Sequence, residues 1–399
     1  MRSVLISGAS VAGLSLAYWL RHHGFRPTLV EKAPALRPGG QAIDIRGTAR
    51  EVVRQMGILE TIRAHHTGTH GIAWLNERGE RVAAMSEEFG DSGGIVADIE
   101  ILRADLVRIL HEAAGTDIEI LFDDTVTEIA EGADGVKVTF AKAAPRSFDL
   151  VVGADGVRSG VRGLTFGKDT DFVNDLGYYT ALFPARTTLD LDGWVAMYNL
   201  PKGNGVNGRV AILYPLQDTD QVRVMLAFVC PELAYDRKDI AAQKAILSKV
   251  FAGAGWEIPH LVDQLGHTDD LYFARTGEVK VDHWYRGRTV LLGDSAFGGS
   301  LGMGTSMALV GAYVLAGELA AANGDHTVAF PSYDREMRDY VKINMKRPPG
   351  GPNGFAPRTR RGIWMRNQFM RMLPHLPGGS KMMGGIQKAA NSITLKDYR

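Results

Sequence analysis

A glycine-containing turn near the N-terminus constrains the possible folds of this chain more than any other feature. Residues 4–6 form a short, continuously apolar run of the kind found in buried parallel strands. The hexapeptide Gly8-Ala9-Ser10-Val11-Ala12-Gly13 follows, and apolar residues at helical spacing continue to Gly24, a residue type that commonly ends helices. A second apolar run, residues 28–30, leads into Glu31. The order strand, glycine turn, helix and strand predicts the first unit of a Rossmann-type parallel sheet.

The same segment predicts a site for a dinucleotide. Gly8 and Gly13 allow the backbone to approach a pyrophosphate, which would rest on the positive end of the helix dipole. Glu31, at the end of the second predicted strand, is placed to accept hydrogen bonds from an adenosine ribose. Ser10 takes the place of the usual middle glycine. The alternative interpretation is an ordinary glycine-rich turn without a ligand.

Two later parts of the chain also combine an apolar run with glycine and aspartate. Residues 150–152 lead into Gly-Ala-Asp-Gly-Val-Arg-Ser at 153–159, and residues 289–292 lead into Gly-Asp-Ser-Ala at 293–296. The tripeptide Gly302-Met303-Gly304 then precedes a long predicted helix over 305–322. Asp155 and Asp294 would each lie at a strand end, although aspartate next to glycine is also common in simple turns.

Together these segments resemble the single-component flavin-dependent aromatic hydroxylases, the group that contains para-hydroxybenzoate hydroxylase and the tetracycline-inactivating monooxygenases. The resemblance covers residues 1–322 in the family's order, and Arg103 matches a family arginine that lies near the flavin. It implies FAD as the cofactor and NAD(P)H as the co-substrate that reduces it. Dioxygen would then add at carbon 4a of the flavin, and the hydroperoxide would hydroxylate a small aromatic or polyketide-like molecule.

The resemblance also implies roles for individual residues. Asp294 would hold a hydroxyl of the ribityl chain, and the helix that opens near Gly304 would aim N–H groups at the pyrimidine edge of the flavin. Asp155 and Arg158 would support the pyrophosphate and a passing nicotinamide. Arg46 is added to the expected cofactor-binding residues because it follows the second predicted strand. The expected cofactor-binding residues are Gly8, Ser10, Ala12, Gly13, Glu31, Lys32, Arg46, Arg103, Asp155, Gly156, Gly293, Asp294, Gly302, Gly304 and Thr305. No catalytic residue and no metal site is predicted.

The loop after Asp294 departs from the family pattern. Phe297 stands where the family has histidine, residues 298–301 are shorter and lack a proline, and Ser306 replaces asparagine. Because this loop lines the reactive side of the flavin in the family, an FAD-dependent dehydrogenase, epoxidase or reductase is kept as an alternative function. A flavoprotein-like binding protein without turnover is a more remote alternative, which the intact Glu31, Asp155 and Asp294 disfavour.

Two short patterns suggest other chemistry. Residues 298–302 fit Gly-x-Ser-x-Gly, the nucleophile elbow of α/β-hydrolases, but that motif requires a strand before the serine and a helix after it. His66 and His70 have i,i+4 spacing, yet a metal site needs at least one further ligand. We therefore base no function on either pattern.

A second domain is predicted between the flavin-binding segments. Alternating patterns over 172–282 favour an antiparallel sheet, whose aromatic residues are expected mostly in the core. Residues 101–114 predict a helix, and residues 126–140 predict a β-hairpin. The predicted fold is α/β, with a Rossmann-like FAD-binding domain (1–75, 101–170 and 283–345) interleaved with a mainly antiparallel β-sheet substrate domain (76–100 and 171–282). Residues 346–399 form a C-terminal helical segment.

Within the C-terminal segment, glycine and proline at 348–357 predict a loop. The following residues predict a helix with a candidate apolar stripe of Met365, Phe369, Met370 and Leu373. Arg358, Arg360 and Arg361 are read as a solvated charge cluster, with contact to an anionic group as the alternative.

Composition narrows the partners and the compartment. Lys plus Arg number 45 and Asp plus Glu number 45, a balance that argues against binding to nucleic acid. Cys230 is the single cysteine, which favours a reducing compartment and predicts a cytoplasmic protein. No apolar stretch reaches the roughly 20 residues that span a bilayer. The expected partner is a small-molecule substrate, and the oligomeric state cannot be read from the sequence.

Overall fold

The computed structural model describes residues 2–37, 39–86, 97, 99–216, 219–346, 352–379 and 385–398. The strands are β1 (Ser3–Ser7), β2 (Arg26–Glu31), β3 (Ala42–Asp44), β4 (Gly71–Leu75), β5 (Arg81–Ser86), β6 (Glu100–Leu102), β7 (Ile120–Phe122), β8 (Val126–Glu131), β9 (Val136–Phe140), β10 (Arg146–Phe148), β11 (Leu150–Gly153), β12 (Val173–Arg186), β13 (Trp194–Leu200), β14 (Arg209–Pro215), β15 (Gln221–Val229), β16 (Tyr272–Val279), β17 (Tyr285–Arg286) and β18 (Thr289–Leu291). The helices are α1 (Val11–His22), α2 (Thr48–Gln55), α3 (Leu59–Ala64), α4 (Arg103–Ala114), α5 (Gly160–Thr165), α6 (Asp169–Phe172), α7 (Ile240–Phe251), α8 (Ile258–His267), α9 (Asp294–Phe297), α10 (Gly304–Ala321), α11 (His326–Asn344), α12 (Pro352–Phe355), α13 (Arg360–Met372), a short 3-10 helix (Leu373–His375) and α14 (Gly385–Ala390). The predicted α/β class is confirmed.

A six-stranded sheet forms the first layer, in the order β17-β18-β11-β1-β2-β7. All of its strands are parallel except β17, which pairs antiparallel with β18. Its central strands are the continuously apolar runs of the sequence, and Leu5, Val151 and Val290 are fully buried there. Such runs are expected where helices cover both faces of a parallel sheet. On this scaffold α1 packs against α4 and α10.

A seven-stranded sheet forms the second layer, in the order β16-β12-β15-β14-β13-β4-β5. It is antiparallel except where β13 pairs parallel with β4. One face is a closed core packed under α7 and α8, and it contains the buried rings of Tyr179, Phe183 and Phe228. Because β4 pairs with β13, residues 71–75 lie in this sheet and not in the first one, where the sequence had assigned them.

Local structure corrects three of the sequence-based expectations. The helix predicted from residue 101 begins at Arg103, because Glu100–Leu102 pairs with Ala42–Asp44 as an antiparallel ladder. Pro352–Phe355 is one helical turn within the predicted loop, whose residues 348–351 lie outside the described residues. Of the predicted C-terminal stripe, only Leu373 is buried, while Met365 and Phe369 are 54% and 44% exposed.

Helix α10 crosses the centre of the molecule. It is the one helix among the described residues that is long and apolar enough to span a bilayer, but 78% of it is buried inside the protein. Met307, Leu309 and Leu315 on it are fully buried in the core that also contains β1 and β18. Its apolar composition is that of a core helix.

Candidate functional site

The residues singled out in the sequence meet at one edge of the six-stranded sheet. β2, β1, β11 and β18 are parallel neighbours, so their carboxyl ends lie side by side. Glu31 ends β2, Gly8 follows β1, Gly153 ends β11 and Asp294 comes shortly after β18. In open α/β sheets the crevice beyond the carboxyl ends of the strands is where nucleotides bind.

The first turn requires glycine at both of its ends. Gly8 has a φ of +108°, and a Cβ there would lie 2.4 Å from the carbonyl oxygen of Ala154. A Cβ on Gly13 would lie 1.9 Å from the carbonyl oxygen of Gly8. The Gly8 N–H donates to the carbonyl of Val30 at 2.8 Å, which joins the turn to β2. This packing brings bare backbone to the position where a pyrophosphate would lie.

The N-terminus of α1 is open to an anion. Ser10 is its N-cap residue, yet the side chain makes no capping hydrogen bond and the first turn contains no acidic residue. The first N–H groups of the helix, including that of Ala12, have no acceptor within the helix. Arg103 lies beside this turn and donates to the Ser10 hydroxyl at 3.3 Å and to the carbonyl of Gly39 at 2.9 Å. Backbone donors and a cation are therefore available for phosphate oxygens.

Glu31 connects the turn to the end of β2. Its side chain is buried, and Oε2 accepts a 2.9 Å hydrogen bond from the Ala9 N–H. Oε1 accepts from the Ala33 N–H at 2.9 Å and lies 3.6 Å from the Arg37 guanidinium. Each oxygen has a further lone pair, so a ribose hydroxyl can still bind. Lys32 is exposed and follows directly after the strand.

Asp155 ties three strand ends together. Its carboxylate accepts from the Gly160 N–H at 2.8 Å and from the Ser159 hydroxyl, which caps the start of α5. The hydroxyl of Ser7, at the end of β1, and that of Ser295, in α9 shortly after β18, each approach it at 3.4 Å. The conformation of residues 153–159 is thus explained by contacts within the protein.

Asp294 has the opposite character, because no described residue is its hydrogen-bond partner. Solvent reaches the side chain, yet the protein packed around it raises the pKa of its carboxyl above the ordinary value. Its Oδ1 lies 3.7 Å from the position of a Cβ on Gly304, and Ser300 Oγ lies 3.6 Å from the same point. That hydroxyl is buried and lacks a partner among the described residues. Two unpartnered oxygens therefore face a cleft that any side chain at Gly304 would narrow.

The start of α10 forms the other side of this cleft. Met303 is the N-cap residue and gives no side-chain cap, and no acidic residue lies in the first turn. The N–H groups of Gly304 and Thr305 lack acceptors within the helix. These donors, together with Asp294, fit the polar edge of a flavin and its ribityl hydroxyls, because they offer both donors and acceptors in a cleft without bulky side chains.

Asp44 lies beside these candidate residues but was not among those predicted from the sequence. Arg46 donates to its Oδ2 from Nε at 3.0 Å and from Nη2 at 2.8 Å. The Arg46 N–H donates to Ser306 Oγ at 2.9 Å, so serine at the family's asparagine position still links β3 to α10. Burial raises the pKa of Asp44 to about 6, although the charge of Arg46 lowers it. A Cβ on Gly302 would lie 3.7 Å from Asp44 Oδ2. The only sequence signal was an acid two residues before Arg46.

Two features of the loop before α10 differ from the expectation. Phe297, at the family's histidine position, is 2% exposed and packs its ring 5.0 Å from that of Trp284, so it fills the core instead of lining the cleft. Ser300 lies in a loop between α9 and α10, without the strand that a nucleophile elbow needs. Among the described residues no group of three potential metal ligands is found.

The parallel sheet, the glycine turn and the two open helix N-termini define a flavoprotein of the dinucleotide-binding class. The profile of the family described as "FAD binding domain" matches residues 1–346, and the chain belongs to this family. It is an FAD-dependent monooxygenase, an oxidoreductase.

Known proteins similar to this chain agree with that assignment. A flavin-dependent monooxygenase from an unknown prokaryotic organism is 33% identical over 408 residues, which cover 100% of this chain and 99% of the relative. An uncharacterized protein of Mycobacterium tuberculosis is 38% identical over 402 residues and covers 100% of both chains. The crystal structure of tetracycline destructase Tet(51) superposes with a TM-score of 0.82 at 29% identity, covering 100% of this chain and 99% of that one.

Proposed function

We propose that FAD lies along the carboxyl edge of the six-stranded sheet, with its pyrophosphate at α1 and its isoalloxazine at α10. The observation that carries this placement is the pair of unpartnered oxygens, on Asp294 and Ser300, beside the uncapped start of α10. Glu31 binds the adenosine ribose, and Ala12 and Gly13 offer backbone N–H groups to the phosphates. Arg103 adds a positive charge next to that turn.

The protein's own groups prepare this site for redox chemistry. When bound, FAD supplies the electron transfer and the oxygen activation. The N-terminus of α10 would stabilise negative charge on the bound cofactor, because its unpaired N–H groups and the helix dipole place partial positive charge at that end of the helix. Ser306 holds the backbone N–H of Arg46 and Asp44 holds its guanidinium, so Arg46 is fixed close to the start of α10.

Each of the two sheets is assigned to a different ligand. We assign the six-stranded sheet with α1, α4, α10 and α11 to FAD binding, and the seven-stranded sheet, which includes residues 71–75, to substrate binding. The alternation of burial along the second sheet supports this division. Tyr179 and Phe183 are buried on the α7 and α8 side, whereas Tyr178 and Leu182 on the opposite side are only half-buried.

We define the substrate face as the side of the seven-stranded sheet that carries Tyr178, Leu182, Tyr214 and Met225. The register places these residues on one side, with Leu182 opposite Met225. Burial, and then the charges of Glu100 and Asp44, raise the pKa of Tyr214, so this face looks toward the flavin-binding layer. A half-buried apolar and aromatic surface of this kind suits a flat, partly aromatic molecule. The similarity to tetracycline destructases supports a polyketide-like substrate.

Arg366 adds a cation at the border of the substrate face. It donates from Nη2 to Asn199 Oδ1 at 2.6 Å and lies 5.8 Å from the centre of the Trp74 ring. Burial lowers its pKa to about 10, and no described carboxylate forms an ion pair with it. A charged guanidinium without an acidic partner favours a substrate with an anionic oxygen, such as a carboxylate or an enolate.

NAD(P)H is the reductant typical of the family, and the entrance of the cleft has charges that suit it. Tyr272 on β16 is 54% exposed, but the protein packed around its phenol, and then Asp294, raise its pKa, while Arg158 and Arg37 lower it. Both arginines are exposed, so two cations near the entrance are available to the phosphates of a transient nicotinamide cofactor. The single, buried Cys230 is in keeping with a cytoplasmic enzyme.

The purified protein tests this proposal directly. We expect an absorbance band of oxidised flavin at about 450 nm and a rate of NAD(P)H oxidation that a substrate increases. A panel of tetracyclines and hydroxylated aromatic acids is screened under isotopically labelled dioxygen, with an Asp294→Ala variant and an exposed control, Asp134→Ala, in parallel. One labelled oxygen atom in the product supports hydroxylation or epoxidation. NAD(P)H oxidation with every product unlabelled would contradict the proposed reaction.

A further inference from the structure

The C-terminal part of the chain has a charge unlike the rest. Residues 340–396 contain eleven lysines and arginines and no aspartate or glutamate, while the whole chain has 45 residues of each sign. The remainder of the protein therefore carries an equal excess of acidic side chains. Lys396 is paired with Glu318 and Glu336, but exposed arginines of this segment without such partners would be attracted to an anionic surface.

Helix α13 lies in this basic part and exposes a strip of apolar side chains. Trp364, Met365 and Met372 are 61%, 54% and 55% exposed, and Phe369 is 44% exposed. Leu376, just beyond the helix, is 39% exposed. Met365, Phe369 and Met372 follow helical spacing and thus form one stripe, which we call the α13 stripe together with the adjacent Trp364. Contiguous exposed apolar side chains of this kind indicate an interaction surface.

The opposite side of α13 is fixed to the protein. Asn367 and Leu373 are buried, and Leu373 packs with Trp74 and Met85 of the seven-stranded sheet. Arg366 is bonded to Asn199 on the same side. Because the inner side of the helix is occupied in this way, the α13 stripe is turned away from the sheet and from the substrate face. The stripe is therefore presented on a rigid support and is not part of the substrate site.

Basic side chains lie next to the stripe. Arg358, Arg360, Arg361 and Arg371 are all exposed, and none has an ion-pair partner in the part of the chain that the structure describes. A helix with exposed tryptophan, phenylalanine and methionine on one side and arginines beside them has the composition of a helix that lies in a membrane interface. Basic clusters next to such a helix are attracted to anionic lipid headgroups.

We propose that α13 docks this enzyme on the surface of an anionic phospholipid bilayer, with the α13 stripe entering the headgroup region and the four arginines contacting lipid phosphates. A lipid surface fits better than a protein partner, because exposed tryptophan, phenylalanine and methionine next to arginines without ion-pair partners among the described residues is the composition of an interfacial helix. Docking of this kind is peripheral and adds no membrane span. It does not depend on the identity of the substrate.

Vesicle flotation with the FAD-loaded protein tests the proposal. The probes are vesicles of phosphatidylcholine alone and of phosphatidylcholine with an equal amount of phosphatidylglycerol. We expect binding to the anionic vesicles only, and its loss in about 0.5 M salt because the charges are exposed. The double variant Trp364→Ser/Phe369→Ser and the triple variant Arg360→Gln/Arg361→Gln/Arg371→Gln should each weaken the partition at least about tenfold.

Matched variants elsewhere on the surface serve as controls. Val328→Ser/Ile240→Ser removes apolar side chains that are 55% and 42% exposed, and Arg237→Gln/Lys238→Gln/Lys249→Gln removes the same charge from an exposed region. Both controls should bind vesicles as the parent does. An unchanged flavin spectrum and melting temperature verify that every variant is folded.

Three results would overturn the proposal. The first is failure of the parent protein to bind anionic vesicles at low salt. The second is equal binding of the parent and the Trp364→Ser/Phe369→Ser variant. The third is a dimer in sedimentation velocity that the same variant abolishes, because the α13 stripe would then bind a second copy of the chain.

Discussion

The backbone N–H of Ala9 donates a 2.9 Å hydrogen bond to Oε2 of Glu31, a residue 22 positions further along the chain. One carboxylate thus closes the glycine turn from the end of the neighbouring strand, before any ligand binds. The same side chain that would hold the ribose also sets the shape of the phosphate-binding turn. Binding of the nucleotide and rigidity of the turn are therefore coupled through a single residue.

Replacing Glu31 should affect both properties. In Glu31→Gln the amide cannot accept from Ala9 and Ala33 at once, because one of its ends is a donor. We expect FAD affinity to fall at least about tenfold, since hydrogen bonds to a charged group contribute about 1.5–3 kcal/mol. Titration of the apoprotein with FAD, followed by flavin fluorescence, measures the change. Glu128→Gln, at an exposed position, is the control, and equal affinities of the two variants would contradict this role.

Gly8→Ala should destabilise the protein more than Gly24→Ala. Both residues have positive φ, +108° and +79°, but a Cβ on Gly24 meets no atom within 4 Å, whereas one on Gly8 overlaps the Ala154 carbonyl. We expect Gly24→Ala to lower the free energy of unfolding by about 1 kcal/mol, because of backbone strain. For Gly8→Ala the overlap of the new Cβ with the Ala154 carbonyl should lower the free energy of unfolding by about 3 kcal/mol or more. Urea unfolding of the apoprotein measures the difference, and similar losses would show that close packing does not decide the effect.

Asp294→Asn should stabilise the apoprotein against unfolding at neutral pH and lower its affinity for FAD. The protein packed around Asp294 raises the pKa of its carboxyl although solvent reaches it, so the folded state keeps its proton to higher pH than the unfolded chain. Its contribution to stability is present at acid pH and is lost as the pH rises through the raised pKa. Removing the charge should therefore raise the free energy of unfolding at pH 7 and have no such effect below the ordinary carboxyl pKa.

The companion measurement for Asp294 is cofactor affinity. An amide can no longer act as the charged acceptor of a ribityl hydroxyl, and we expect at least about tenfold weaker FAD binding. Asp134→Asn, on an exposed turn, should change neither stability nor affinity. A variant that loses stability at neutral pH yet binds FAD as the parent does would refute both parts of the argument.

Arg366→Met should reduce binding of anionic ligands selectively. The side chain also holds α13 to Asn199, so a purely structural role would weaken charged and neutral ligands alike. We expect affinity for 2-hydroxybenzoate to fall about tenfold and that for 2-hydroxybenzamide to change little, because only the former needs the charge. The ligand-induced change in the flavin spectrum gives the dissociation constants of both ligands. Arg371→Met, on the exposed side of the same helix, is the control, and parallel losses for both ligands would assign Arg366 to structure alone.

Local patterns predicted much of the nucleotide-binding layer. The apolar runs that became β1, β2, β11 and β18 were read correctly, because a strand buried on both faces is apolar without interruption. Gly24 has the positive φ expected of a residue after a helix end. The roles of the individual cofactor-binding residues remain predictions. The start of α4 was placed too early, because the pairing of Ile101 with Ile43 depends on a segment far away in sequence.

The remaining features of the site depend on distant neighbours. Asp155 and Asp294 have similar sequence contexts, yet one bonds to Ser7, a residue 148 positions away, and the other has no partner among the described residues. The position of Asp44 beside Gly302 and the core location of Phe297 likewise follow from packing. A local pattern indicates that a side chain is polar or apolar but not which group will face it.

The sequence by itself determined the order of strands, turns and helices, and with it the class of cofactor, because glycine conformations and the periodicity of apolar residues are local properties. The tertiary structure alone decided which strand ends became neighbours and which carboxylate was left to meet a ligand. It also decided that Met365 and Phe369 face outward, where the sequence had suggested an inward stripe. The physical reason is that burial, pKa and partner choice are set by atoms brought together across hundreds of residues.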